Sequence, residues 1–101
     1  MTRLELSEGA ATPAQRRLVA VGTALLHRVW PGIALRTFAL TDEDAVLLVQ
    51  PVRGGVSLFV AADESVMFYA SSVEPGAALE LFRSGERTDP AKFDPTGPGG
   101  R

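Results

Sequence analysis

His27 is the chain's one histidine, and no cysteine accompanies it. A catalytic role would make it a general base, with Asp42, Glu43 or Asp44 orienting the ring. Its place near the end of an apolar-periodic segment points instead to a polar residue at a helix C-terminus, where positive charge is favoured by the helix dipole. Ser57, Ser65, Ser71 and Ser72 supply hydroxyls for a Ser-His-Asp arrangement, yet none lies in a Gly-x-Ser-x-Gly elbow. Without cysteine there are no disulfides, thiolate zinc sites, thiol nucleophiles or iron–sulfur ligands within this sequence.

Carboxylates are concentrated in two runs, Asp42-Glu43-Asp44 and Asp63-Glu64. Oxygen ligands of this kind suit a hard cation, but neither run has the alternating spacing or the distal glutamate of a calcium loop. Solvated turn chemistry accounts for both, and no metal or cofactor is expected. Arg53-Gly54-Gly55 is followed by no helix, so it is neither a phosphate loop nor a dinucleotide fingerprint. Arg16, Arg17, Arg28 and Arg36 offer an anion site on paper; pairing with scattered carboxylates or lying over apolar surface explains them as well.

The formal net charge of −2 and a pI of about 5.3 provide no global positive field. Nucleic acid and an anionic membrane are therefore not expected partners. The hydrophobic share of 46% and charged share of 22% are those of an ordinary globular domain, and 101 residues suffice for one core. No apolar run approaches the roughly 18 residues that span a bilayer. Met1 to Ala11 lacks the apolar centre of a signal peptide, so the expectation is a cytoplasmic protein. Lys92 is the only lysine, a bias typical of a GC-rich genome.

The elements that must position these residues follow from local pattern. Residues 1–11, with Leu4 and Leu6 two apart, read as a loosely held end in preference to an edge strand. Thr12, Pro13 and Gln15 form a capping box with proline at the first helical position. Leu18, Val21, Gly22, Leu25 and Val29 then recur at helical spacing, widened by Val19, Leu26 and Trp30, until Pro31-Gly32 ends the helix. Ile33 to Leu40 reads as a first strand whose apolar set changes face between Leu35 and Phe38, through a bulge or burial on both sides. A second strand runs from Ala45 through Val52, its end at Pro51 lying at a bulge or an unpaired edge; a third spans Val56 to Ala61, and a fourth begins at Val66. The Arg53-Gly54-Gly55 turn joins the second and third. A last helix starts at Pro75, carries Ala78, Leu79 and Phe82 inward, and stops before Gly85.

The predicted fold is α+β, a four-stranded antiparallel meander with an N-terminal and a C-terminal helix packed on one face. The single domain spans 12–88, and 89–101 forms a flexible Pro/Gly-rich tail. With both helices on the face of Val56, Leu58, Val60, Val66 and Phe68, the other face would expose Phe59, Met67 and Tyr69, with Ser57 and Ser71 beside them. The functional expectation is a non-catalytic protein-interaction domain using that face, of inhibitor, immunity-type, chaperone-like or self-associating character, with another protein or a second copy as partner. The alternative is a small-molecule or enzymatic pocket between the first helix and the sheet, near His27 and Trp30.

Overall fold

The N-terminal helix starts where its cap dictates. Thr12 accepts a hydrogen bond from the Gln15 amide at 3.0 Å, and Gln15 Oε1 accepts from the Thr12 amide at 2.8 Å. From this capping box α1 runs over Pro13–Val29 in the computed structural model, which describes residues 4–6, 11–53, 55–70 and 74–93. Its buried stripe of Leu18, Gly22, Leu25 and Leu26 lies on Val46, Leu48, Leu58, Val60 and Val66. Gly22 marks the closest approach: a Cβ there would lie 2.9 Å from a Val60 methyl and 3.2 Å from those of Leu48.

Four strands form the expected meander: β2 (Arg36–Leu40), β3 (Ala45–Val49), β4 (Val56–Val60) and β5 (Val66–Ala70), each antiparallel to the next. A two-residue strand, β1 (Leu4–Glu5), is added outside β2, with Leu4 opposite Ala39 and Glu5 opposite Phe38. Leu6 extends it by donating its amide to the Thr37 carbonyl. This part of the N-terminal segment is thus an edge strand rather than a loose end; residues 1–3 and 7–10 lie outside the described residues. The face change between Leu35 and Phe38 is no bulge. Leu35 packs on the α1 side and Phe38 on the other, as alternation requires of a strand buried on both faces.

The second helix, α2 (Pro75–Arg83), is capped by Glu74, whose carboxylate accepts from the amides of Gly76 and Ala77. It closes in a Schellman arrangement, with Glu86 N–H donating to the Leu81 carbonyl and Gly85 N–H to that of Phe82. Gly85 holds φ at +98°, which a side chain would disfavour.

The α+β class and the order helix, meander, helix are those the sequence predicts. The placement of α2 is corrected: it covers the opposite face from α1. Ala78, Leu79 and Phe82 pack on Leu40, Ala45, Leu47, Phe59, Ala61, Met67 and Tyr69. The molecule is a helix–sheet–helix sandwich. The reason lies in the strands themselves, since β3 and β4 carry large apolar side chains on both faces, and each face loses free energy in proportion to the apolar area left wet.

After α2 the chain rounds the β5 edge. Thr88 donates its amide to the Val66 carbonyl, and its hydroxyl accepts from the Phe68 amide. A 3-10 turn, Pro90–Phe93, then sets Phe93 into the core on the α1 side. The ordered fold therefore reaches Phe93 rather than ending at residue 88; the tail from residue 94 lies outside the described residues. Among those described, no helix is long and apolar enough to cross a membrane.

Candidate interaction surface

The meander has two ends. One carries the β2–β3 and β4–β5 turns and the start of α1. The other carries the β3–β4 hairpin, the end of α1 and the crossing segment from Pro31 to Leu35.

The residues expected on an open sheet face are core. Phe59 is fully buried, stacked on Tyr69 at 5.3 Å and on Phe82 at 4.7 Å between ring centroids, and Met67 and Ser57 are buried with it. Ser71 lies outside the described residues. These side chains do share one face, as alternation requires; what the sequence did not reveal is that α2 lies over them. Phe38, at the far flank, lies 5.6 Å from the Arg36 guanidinium, which also pairs with Glu5 at 2.6 Å.

The acidic turns are tied into local structure. Glu43, its side chain largely buried, accepts two hydrogen bonds from Arg83, and this contact holds the arginine's pKa above its ordinary value. Glu64 pairs with Arg17 at 2.6 Å. The Asp63 carboxylate accepts from the hydroxyl of Ser65 at 2.6 Å and from its amide at 2.9 Å, which lowers the Asp63 pKa. Asp44 and Glu64 hold φ at +51° and +71°, the left-handed corners of the two turns. Arg87 lies over the Phe82 ring at 4.1 Å and donates to Ser65 Oγ and the Phe82 carbonyl, fastening the end of α2 to the β4–β5 turn. No group of three or more His, Asp or Glu side chains among the described residues could hold a metal ion.

At this turn end a cleft of about 490 Å³ opens beside the first turn of α1, with Leu18, Leu40 and Ala45 in its floor and Thr12, Arg17, Asp44 and Asp63 around it. It is at the opposite end of α1 from His27 and Trp30, the residues expected to line a pocket. His27 is exposed, with Nε2 3.4 Å from the Ile33 carbonyl oxygen.

Trp30 has a different setting. It stacks on Phe68 at 6.1 Å with ring planes 14° apart, and Phe93 meets Phe68 edge-on at 6.0 Å. The indole thus rests on Phe68 while 40% of its residue surface stays in solvent. At the same end Val52 stands 58% exposed on the hairpin. In the hairpin Gln50 donates to the Val56 carbonyl, Val52 to that of Gln50 and Gly55 to that of Val52, while Gln50 Oε1 accepts from the Val56 amide. Trp30 is expected from the sequence to line a pocket and Val52 to end a strand; Pro51, which cannot donate to a ladder, is the signal that Val52 belongs to the turn.

No protein-family model, curated protein or solved structure matches the chain.

Proposed function

We propose that this protein is a non-catalytic protein-interaction domain whose contact surface is the hairpin end centred on Trp30. The observation that supports this is a tryptophan stacked on Phe68, which Phe93 meets edge-on in turn, with 40% of its residue surface still in solvent. A preorganised aromatic loses little conformational entropy on binding, and tryptophan is among the residues that dominate interface energetics. The ion-paired and turn-bound state of Glu43, Glu64 and Asp63 also favours a structural over a catalytic use of the acidic turns. The sheet face first expected to bind is committed to α2, so the hairpin end replaces it.

Trp30 is the only tryptophan, so its fluorescence reports on the proposed surface alone. Titration with proteins cross-linked to the chain in its native host should shift the emission to the blue and reduce quenching by acrylamide. Trp30→Ser should keep the fold by circular dichroism and weaken association by at least about 30-fold, the loss typical of an interface hot spot. Binding that leaves both the emission and the variant's affinity unchanged rules the surface out.

The cleft beside Leu18 favours a second reading, a small-molecule site, because 490 Å³ falls within the usual volume of such sites. Thermal-shift screening against a metabolite panel tests it, with Leu18→Trp to fill the floor. A ligand that stabilises the wild type and not the filled variant supports it, and the absence of any stabilising ligand counts against it.

A further inference from the structure

We infer that the strap from Thr88 to Phe93 is a displaceable stand-in for a partner's strand, and that the β5 edge beneath it receives an extended peptide segment bearing an aromatic side chain. This surface is distinct from the one centred on Trp30 and does not depend on that reading. β5 is the last strand in the sheet order, so among the described residues one of its sides has no neighbouring strand. Ala61 donates to the Ser65 carbonyl, which puts Ser65, Met67 and Tyr69 in hydrogen-bonded pairs with the β4 side and turns the amides and carbonyls of Val66, Phe68 and Ala70 outward. Two of these outward groups are taken by one residue. Thr88 donates its amide to the Val66 carbonyl at 2.8 Å, and its hydroxyl accepts from the Phe68 amide at 2.9 Å. An acceptor and a donor two residues apart, both served by one residue, is the pattern that a parallel strand makes. Here a side-chain hydroxyl stands where that strand's backbone carbonyl would be.

The strap imitates a strand at that residue and no further. Beyond it the amides of Ala91 and Lys92 turn back onto Asp89, Pro90 has no amide to give a ladder, and Asp89 to Lys92 are exposed. At its far end Phe93 is buried in the α1-side core, edge-on to Phe68. The strap is thus fixed to the sheet at two points with exposed chain between them, the construction of a segment that opens locally ahead of global unfolding. An extended partner segment makes the same two bonds through its backbone, adds others along the edge, and fills the Phe93 seat with a ring of its own. Strand addition draws its affinity from main-chain hydrogen bonds and its specificity from such side-chain seats.

Hydrogen exchange of the full chain, followed by NMR, tests the opening. The Phe68 amide, bonded to Thr88, should exchange at least about 100-fold faster than the Met67 amide, bonded to β4. Thr88→Val should speed exchange at Phe68 further and leave Met67 unchanged. A synthetic peptide with the sequence of residues 86–93 tests the seat. It should bind the full chain carrying Phe93→Ser at least about tenfold more tightly than the wild type, whose own strap competes from within the same molecule. Binding should restore protection of the Phe68 amide and shift the emission of Trp30, which stacks on Phe68. The same peptide with serine in place of its phenylalanine should not bind. Equal exchange at Phe68 and Met67 overturns the inference, because the strap then opens only with the whole fold. Loss of the fold in Phe93→Ser, no binding of the peptide by that variant up to millimolar concentration, or equal binding of the serine peptide overturns it as well.

Discussion

Phe59 is the side chain on which the α2 side of the core turns, stacked between Tyr69 and Phe82 with none of its surface exposed. Phe59→Ala should lower stability to urea by about 3–5 kcal/mol, since the surrounding rings cannot fully collapse into the space left. Phe59→Glu and Tyr69→Glu should unfold the chain, as seen in far-UV circular dichroism; a folded monomer from either would contradict their burial. Asp63 gives a residue-scale test in the electrostatic sense. Its hydrogen bonds from Ser65 favour the carboxylate and lower its pKa in the folded state from the ordinary 3.8. A lowered folded pKa contributes stability above the unfolded value, and that contribution is lost as pH falls through the folded pKa. Carbon-detected NMR titration should find Asp63 below its ordinary value, and Ser65→Ala should bring it back up. An unchanged titration in that variant would show that the turn hydrogen bond is not the cause.

The elements differ in how much of their construction is local. α1 was legible from its capping box, its proline and its apolar spacing, because each of those signals acts within a turn or two of helix. Gly22 was legible only as a member of the apolar stripe; its reason for being glycine is the contact with Val60 and Leu48, which are distant in sequence. Gly22→Ala gains about 1 kcal/mol of helix propensity. It also drives a methyl against the fully buried, β-branched Val60, at a cost of about 1–3 kcal/mol. The expected net effect is destabilisation in thermal unfolding, and a rise in melting temperature would show that α1 shifts freely on the sheet. The strap from Thr88 to Phe93 was not legible at all. Its residues show no apolar periodicity, and the forces that order it are non-local: the hydrogen bonds of Thr88 to the β5 edge and the burial of Phe93 beside α1. By occupying that edge, the strap also blunts the tendency of an open strand to pair with another chain.

For the whole molecule, the consequence of the three-layer arrangement is that neither helix is dispensable. α2 has nine residues and meets the sheet through Ala78, Leu79 and Phe82, with Arg83 and Arg87 fastening its C-terminal end. Phe82→Asp should release it and expose Leu40, Leu47, Phe59 and Met67, giving dye binding and concentration-dependent association in sedimentation. Leu81→Asp, on the exposed side of the same helix, should change stability by no more than about 0.5 kcal/mol. If the two variants behaved alike, α2 would not be the cover of this face. The same arrangement moves the candidate interaction surface from the side of the sheet to its hairpin end, where Trp30 and Val52 remain open.

The candidate site was legible in part. Trp30 was legible as an apolar residue at the end of the first helix, but its setting depends on Phe68, on which it stacks, and on Phe93, which meets Phe68 edge-on from the strap. By itself the sequence determined the helix, four-strand, helix succession, the cap of α1 and the sorting of strand residues into two faces, because a period of two or 3.6 residues is a local property of the backbone. It left open which face α2 would take. Periodicity states that a helix has an apolar stripe and not where that stripe is satisfied. Only the tertiary structure decided this: β3 and β4 are apolar on both faces, α1 covers one of them, and α2 covers the face of Phe59, Met67 and Tyr69.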